Sequence, residues 1–112
     1  IDSGQAFNVI YAENDDMAKG AVAALDKANI SHGVGKDVIV MGFDCNKWAL
    51  EELLNQNWNY DGQCNPYQAS YIEDVIKQLE SGEKIDEKTI IMDEKGFDAT
   101  TITQDDVDQF GI

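Results

Sequence analysis

The chain has 112 residues and a formal net charge of −14, from 22 acidic residues (Asp and Glu) against 8 basic residues (Lys and Arg). This length suits one compact domain that buries roughly two-thirds of the surface of its unfolded chain. Nucleic acids and anionic membranes are bound through clusters of Lys and Arg, and this acidic sequence has no such cluster. The composition therefore excludes nucleic acid as a partner, and we predict neither a metal site nor a cofactor.

The first predicted strand runs from Phe7 to Ala12 and is rich in β-branched and aromatic residues. The polar sequence Glu13-Asn14-Asp15-Asp16 follows it, and acidic residues there suit a helix N-terminus. We interpret Asp15 and Asp16 as capping and first-turn charges. A helix is predicted next, because apolar residues recur at three-to-four-residue spacing, at Ala18, Ala21, Val22, Leu25 and Ala28.

The second predicted strand, Val38 to Phe43, follows a break at Gly33 and Gly35. Its run of apolar residues is continuous, which is typical of a central parallel strand buried on both faces. It ends on Asp44-Cys45-Asn46, and the next predicted helix carries three apolar residues, Leu50, Leu53 and Leu54.

The third strand-like run, Trp58 to Asp61, ends on Gly62-Gln63-Cys64-Asn65. A third helix is predicted to open at Asn65-Pro66, because Pro is favoured at the first helical position. Its apolar stripe comprises Ala69, Ile72, Ile76 and Leu79, and Gly82 ends it. A last strand is predicted at Thr89–Met92 and a short capped helix at Thr103–Phe110.

This β-α-β-α-β-α-β-α order predicts an α/β fold with a mainly parallel sheet. The carboxyl ends of parallel strands meet at one edge of a sheet, and ligands bind there in open α/β folds. We therefore expect the polar residues after the first three strands, among them Asn14, Asp44 and Gln63, to gather at that edge.

The cysteines, Cys45 and Cys64, each follow a predicted strand. If those strands are neighbours, a disulfide is geometrically allowed, and closing a loop of about 19 residues would contribute roughly 3 kcal/mol. Two free thiols are equally compatible with the spacing.

Several of these segments resemble one family. The run Tyr11–Ala21, with its Asn-Asp-x-Met-Ala-x-Gly element, and the run Val38–Asp44 are similar to the C-terminal part of the type I periplasmic sugar-binding proteins of ABC transporters. The Cys64-Asn65-Pro66 element resembles the galactofuranose-binding branch of that family.

The resemblance implies a three-layer sandwich and a two-lobed parent protein that closes on a sugar. Residues 1–64 would be part of the C-terminal lobe, residues 65–88 a hinge-crossing helix packed on the N-terminal lobe, and residues 89–112 the returning strand and tail. In the family, the residues that match Asn14 and Asp44 hydrogen-bond sugar hydroxyls. Gln63 is a further candidate contact, although ribose binders place their Gln where this chain has Cys64.

The function implied is delivery of a monosaccharide to an ABC permease without catalysis, outside the cytoplasm. Since Ile1 to Gly4 show neither a signal peptide nor an initiating Met, we expect the chain to be a fragment. Its third helix would then expose an apolar stripe, which favours a dimer or a domain-swapped assembly.

Two other interpretations stay open. The sugar-responsive repressors of the lactose-repressor family share the Asn-Asp-x-Met-Ala element, which allows a cytoplasmic sugar sensor. A receiver-like phosphoacceptor domain would use Asp15, Asp16 and Asp44 to hold Mg²⁺.

Overall fold

A computed structural model describes residues 1–85 and 88–112. The predicted alternation of strands and helices is confirmed. In chain order the elements are β1 (Val9–Tyr11), α1 (Asp15–Lys27), β2 (Ile39–Asp44), α2 (Lys47–Leu54), β3 (Tyr60–Gln63), α3 (Ala69–Glu80), β4 (Gly96–Asp98) and α4 (Gln104–Phe110). The described helices, of which α1 with 13 residues is the longest, are too short and too polar to cross a lipid bilayer.

The four strands form one sheet in the order β1-β2-β3-β4. β1, β2 and β3 are parallel, and β4 pairs antiparallel with β3. The register places Ile10 beside Val40 and Asp44 beside Gln63. The predicted α/β fold with a mainly parallel sheet is therefore confirmed, and β2 lies between two parallel neighbours.

The chain divides into two compact units, one formed by residues 1–64 with 95–112 and the other by residues 65–94. The first unit contains the sheet with α1, α2 and α4, and the second contains α3. The division expected from the family placed the boundaries after residues 64 and 88. Residues 86 and 87 of the expected hinge-crossing segment lie outside the described residues.

The core of the first unit lies between the sheet and its helices. Leu25 of α1, Val40 of β2 and Leu50 and Leu53 of α2 are completely or almost completely buried there. The other face of the sheet carries Val9, Tyr11 and Ile39, which are exposed. Within this unit, one layer of helices covers the sheet.

The strand predicted at Thr89–Met92 is wrong, because β4 lies further along the chain at Gly96–Asp98. The β-branched residues favoured a strand, but pairing with β3 decides where it forms. Phe97 is buried opposite Asp61, whereas Ile91 is among the most exposed apolar residues. Gly96 is required because the Tyr60 ring occupies the space that its side chain would need.

Helix α3 begins at Ala69, so the predicted start at Asn65-Pro66 is wrong. The Asn65 side chain instead accepts a hydrogen bond from Tyr67 N (2.8 Å) in a turn that precedes the helix. The end at Gly82 is confirmed: Gly82 has φ 77° and its N–H donates to Leu79 O. No residue of α3 is buried.

The C-terminal helix is confirmed. Thr103 is the N-cap of α4, and its hydroxyl accepts from Asp106 N while the Asp106 carboxylate accepts from Thr103 N. This reciprocal capping box fixes the start of the helix. Val107 of α4 is fully buried, and residues of α4 contact α2.

Two glycines make a matched test of the turn that leads into β2. Gly33 has φ 100°, and a side chain there would overlap Gln56 O, so we expect Gly33→Ala to lower the free energy of unfolding by about 2 kcal/mol or more. Gly20, in α1, has open space around it, so Gly20→Ala should raise this free energy by about 0.5–1 kcal/mol. Urea denaturation measures both, and equal effects of the two variants would contradict the described turn.

Candidate functional site

The three sequence-predicted polar residues lie at the carboxyl ends of neighbouring strands. Asp44 ends β2, Gln63 ends β3, and the two are partners in the register. After β1, Ala12 N still donates to Met41 O, and Asn14 follows as the N-cap of α1. The parallel order of β1, β2 and β3 therefore brings the three residues to one edge of the sheet.

Asn14 caps helix α1 through its side chain. Its Oδ1 accepts a hydrogen bond from Met17 N (2.8 Å), which satisfies one of the free N–H groups at the helix start. The side chain is half-buried, and no described residue accepts a hydrogen bond from its Nδ2. Asn14 can therefore offer this amide as a donor to a hydroxyl.

Asp44 sits in an unusual backbone conformation. Its φ is 122°, and the φ of Cys45 is 60°, so two successive residues with side chains occupy the region that favours glycine. The Asp44 side chain is half-buried, and none of the described residues donates a hydrogen bond to its carboxylate. Asp44 is thus a free acceptor that can take hydrogen bonds from two adjacent hydroxyls.

Gln63 already makes hydrogen bonds within the protein. Its Oε1 accepts from Lys95 N (3.3 Å), and its own N–H donates to Lys95 O (2.8 Å). The side-chain amide is left as a donor, so Gln63 can contribute less to an external ligand than Asp44 can.

Two buried carboxyl groups behind this edge were not recognised as such from the sequence. Asp15 lies in the first turn of α1 and Asp61 in β3, and both are 0% exposed. Asp15 Oδ2 accepts hydrogen bonds from Asn46 N (2.9 Å) and Asn46 Nδ2 (3.1 Å). Asp15 therefore connects α1 to the turn that follows β2, a role that its interpretation as a first-turn charge did not include.

A glycine in the middle of an apolar strand was the signal for this arrangement. A side chain at Gly42 would lie 2.5 Å from Asp15 Oδ1 and 2.9 Å from the Trp58 ring. Glycine inside a strand often marks the close approach of another group. The group that approaches here is the Asp15 carboxylate.

The electrostatics follow from burial. Burial raises the pKa of Asp15, although hydrogen bonds from Asn46 oppose this shift. Burial, together with the nearby Asp15 charge, raises the pKa of Asp61 to about 8. Burial also raises the pKa of the Cys45 thiol far above its ordinary value.

The cysteines are free thiols, so of the two alternatives left by the spacing the structure contains the unbridged one. Cys45 is fully buried, and its Sγ lies 3.9 Å from Asp61 Oδ1, whereas Cys64 is exposed. The Cys45 side chain is thus directed toward the buried carboxyl groups.

Aromatic side chains that could stack on the apolar face of a sugar lie in different parts of the chain. Phe43 contacts Tyr11, with 5.3 Å between ring centroids, and its ring covers Gly62. Trp48 packs edge-on against Trp58 at 5.8 Å. A third aromatic residue, Tyr67, belongs to the second unit.

Asp15, Asp16 and Asp44 do not form the magnesium site of the receiver-like interpretation. In the described part of the chain, no group of three or more His, Cys, Asp or Glu side chains could hold a metal ion. Asp15 is already bound to Asn46, and Asp16 is exposed on α1.

The fold is that of part of a type I periplasmic binding protein. No protein-family model matches the chain. The chain is 33% identical over 92 residues to the fructose import binding protein FruE of Bifidobacterium longum, which is 82% of this chain and 27% of that protein. It is 40% identical over 47 residues to the ribose import binding protein RbsB of Bacillus subtilis, which is 42% of this chain and 13% of that protein.

A solved structure agrees with these relatives. It is the periplasmic binding protein component of the arabinose ABC transporter from Shewanella sp. ANA-3, bound to α- and β-L-arabinofuranose. The TM-score is 0.77 at 26% identity, and the match covers 88% of this chain and 32% of that one. The chain is therefore similar to sugar import binding proteins and corresponds to about a third or less of their length.

Thiol labelling tests the two cysteine environments. Under native conditions at about pH 8, we expect a thiol reagent to modify Cys64 only, because Cys45 is buried and protonated. Both thiols should react after denaturation, and Cys64→Ser should leave none reactive in the native protein. Mass spectrometry counts the labels; a disulfide would instead give no labelling until a reductant is added.

Proposed function

We propose that this chain is part of a protein that binds a monosaccharide and delivers it to an ABC permease outside the cytoplasm, without catalysing a reaction. The observation that carries this proposal is the Asp44 carboxylate at the carboxyl edge of the sheet, beside Gln63, to which none of the described residues donates a hydrogen bond. The similarity to fructose and ribose import binding proteins supports it.

The donors and acceptors at this edge suit a sugar. Asp44 accepts from two hydroxyls, while the Asn14 and Gln63 amides donate to hydroxyl oxygens. These contacts would come from one lobe, and residues of the parent protein outside this chain would supply the rest. Closure of two lobes around a ligand is a known hinge mechanism of periplasmic binding proteins.

One observation favours a second candidate, a cytoplasmic sugar-sensing domain similar to those of the lactose-repressor family. Both cysteines are free, and free thiols are commoner in reducing compartments than outside the cytoplasm. The relatives that the chain matches are import binding proteins, so we retain the importer as the proposal.

Asp44→Asn tests the site in the complete parent protein. Asparagine tolerates a positive φ and preserves the shape of the side chain, but it loses the charged acceptor. We expect the affinity for the bound sugar, for which fructose, ribose and arabinose are the first to try, to fall about 10-fold to 100-fold. Isothermal titration calorimetry measures the loss.

The matched control is Asp16→Asn, which removes a charge from an exposed side chain in the first turn of α1. Its affinity should stay within about twofold of the wild type. An Asp44→Asn variant that binds as tightly as this control would refute the site.

We further propose that residues 65–94 carry an apolar surface that packs against another domain or a second chain. Helix α3 exposes Ile72 (55%), Ile76 (48%) and Leu79 (59%), and a groove of the same unit is lined by Ile72, Ile76, Ile90 and Met92. In the parent protein this surface would pack on the N-terminal lobe. The isolated chain would cover it with a second copy, as a dimer or a domain-swapped assembly, because exposed apolar surface of this kind favours association.

The mass of the isolated chain in solution tests this proposal. We expect a dimer by light scattering at concentrations near 100 μM, roughly those at which modest interfaces associate. Ile76→Asp should shift the equilibrium to monomers, because it places a charge in the apolar groove. Ile91→Asp is the matched control, since Ile91 is 86% exposed and lies outside the groove, and it should leave the dimer intact. A monomeric wild-type chain would contradict the proposal.

A further inference from the structure

Two fully buried carboxyl groups meet above the central strand of the sheet. Gly42 of β2 is the register partner of Asp61 in β3. A side chain at Gly42 would lie 2.5 Å from Asp15 Oδ1, so the Asp15 carboxylate occupies the space directly over Gly42. Helix α1 and strand β3 therefore bring one carboxyl group each to the same buried place.

Each carboxyl group has one oxygen without a partner among the described residues. These atoms are Asp15 Oδ1 and Asp61 Oδ2. Buried polar atoms without partners are costly, and two negative charges in contact away from water are costlier still. A single proton would remove both costs, because a protonated Asp61 would donate from Oδ2 to Asp15 Oδ1.

The neighbouring donors decide which group carries the proton. Two N–H groups of Asn46 donate to Asp15 Oδ2 at 2.9 and 3.1 Å, and these bonds stabilise a charged carboxylate. Asp61 Oδ1 has only the weaker thiol donor of Cys45, at 3.9 Å. The nearby Cys45 N–H opposes the rise in the pKa of Asp61 but does not reverse it. These donors favour Asp15 as the charged acceptor and Asp61 as the neutral donor.

We propose that Asp15 and Asp61 share one proton, and that this proton positions Asp44 for sugar binding by keeping Asp15 on Asn46. This inference rests on the proposed sugar site. The turn Asp44-Cys45-Asn46 has positive φ at its first two residues, and Asp15 fixes its third residue through both backbone and side chain. When the proton leaves, repulsion between the two carboxylates moves Asp15 away and frees the turn.

Among the described residues, no positive charge lies beside the pair to replace the proton. Asp44 and Cys45 face the pair from the end of β2, Phe97 is opposite Asp61 on β4, and the Trp58 ring lies over Gly42. The ion pairs found in residues 1–85 and 88–112 involve neither Asp15 nor Asp61. Further negative charge from Asp44 adds to the cost of ionising both groups.

The direction of the pH dependence follows from these groups. The pKa of Asp61 is raised to about 8, so the proton is present below that pH and lost above it. Sugar affinity should therefore be constant in mildly acidic solution and fall as the pH rises through about 8. At about pH 9 roughly one molecule in ten would retain the proton, which predicts about a tenfold loss of affinity relative to about pH 6.5.

The experiment compares sugar affinities at about pH 6.5 and about pH 9 in the complete parent protein, by calorimetry with fructose, ribose or arabinose. The ratio of the affinity at about pH 6.5 to the affinity at about pH 9 should be about tenfold for the wild type. Asp61→Asn supplies a permanent amide donor to Asp15, so its ratio should be about one. Asp105→Asn, which removes an exposed carboxylate from α4, should retain the wild-type ratio. A wild-type ratio near one, or an Asp61→Asn ratio equal to that of the wild type, would overturn the proposal.

Carbon NMR of the aspartate carboxyl groups gives a readout that does not depend on sugar. In the wild-type protein, one buried carboxyl resonance assigned through Asp61→Asn should be in its protonated position at about pH 6.5 and titrate near pH 8. Two ionised groups at about pH 6.5 would refute the shared proton. If no sugar binds at any pH, the proposed function fails, while this titration still decides whether the proton is shared.

Discussion

The hydrogen bonds between the Asp15 carboxylate and Asn46 connect the elements that form the candidate site. Asp15 belongs to the first turn of α1, directly after Asn14, and Asn46 follows the end of β2. Two of the candidate site residues, Asn14 and Asp44, thus lie within two residues of this pair of hydrogen bonds. The ladder between β2 and β3 ends at Asp44 and Gln63, and beyond it this contact connects α1 to the turn that follows β2.

The contact between Asp15 and Asn46 places a carboxylate in the core, and this burial costs free energy. A buried carboxylate contributes little net stability, because the loss of hydration offsets the hydrogen bonds that it gains. Here the arrangement also requires a glycine at position 42 and places a second carboxyl group, Asp61, beside the first. Burying an apolar side chain at position 15 would cost less free energy than burying a carboxylate there. The position of the turn after β2 is therefore a more direct explanation of the buried pair than the stability of the domain.

The sequence predicted those features that depend on local pattern. The strand at Val38–Phe43 and the helix after Thr103 were recognisable from a continuous apolar run and a capping box. The candidate residues Asp44 and Gln63 were predicted at one edge because the order of elements alone implies a parallel sheet. Features that depend on tertiary pairing were missed. Thr89–Met92 has the composition of a strand, but β3 pairs with Gly96–Asp98.

Burial of charge was the other feature that local pattern could not reveal. Asp15 and Asp16 are adjacent and chemically identical, and both suit the first turn of a helix. Only the tertiary fold distinguishes them, since it turns Asp15 toward Gly42 and Asn46 and leaves Asp16 exposed. The sequence alone places polar residues at the strand ends, whereas the structure shows which hydrogen bonds hold those strand ends in place.

The backbone conformation of Asp44 bears on the role of its carboxylate. A residue with a side chain at φ 122° is strained, and glycine would adopt the same conformation without that cost. Glycine would also remove the carboxylate that projects from the end of the central strand. The fold alone therefore does not explain why position 44 is an aspartate. Its carboxylate oxygens suit the recognition of hydroxyl groups. The bonds from Asn46 to Asp15, made immediately after the strained residues, fix the position of the turn that carries this acceptor.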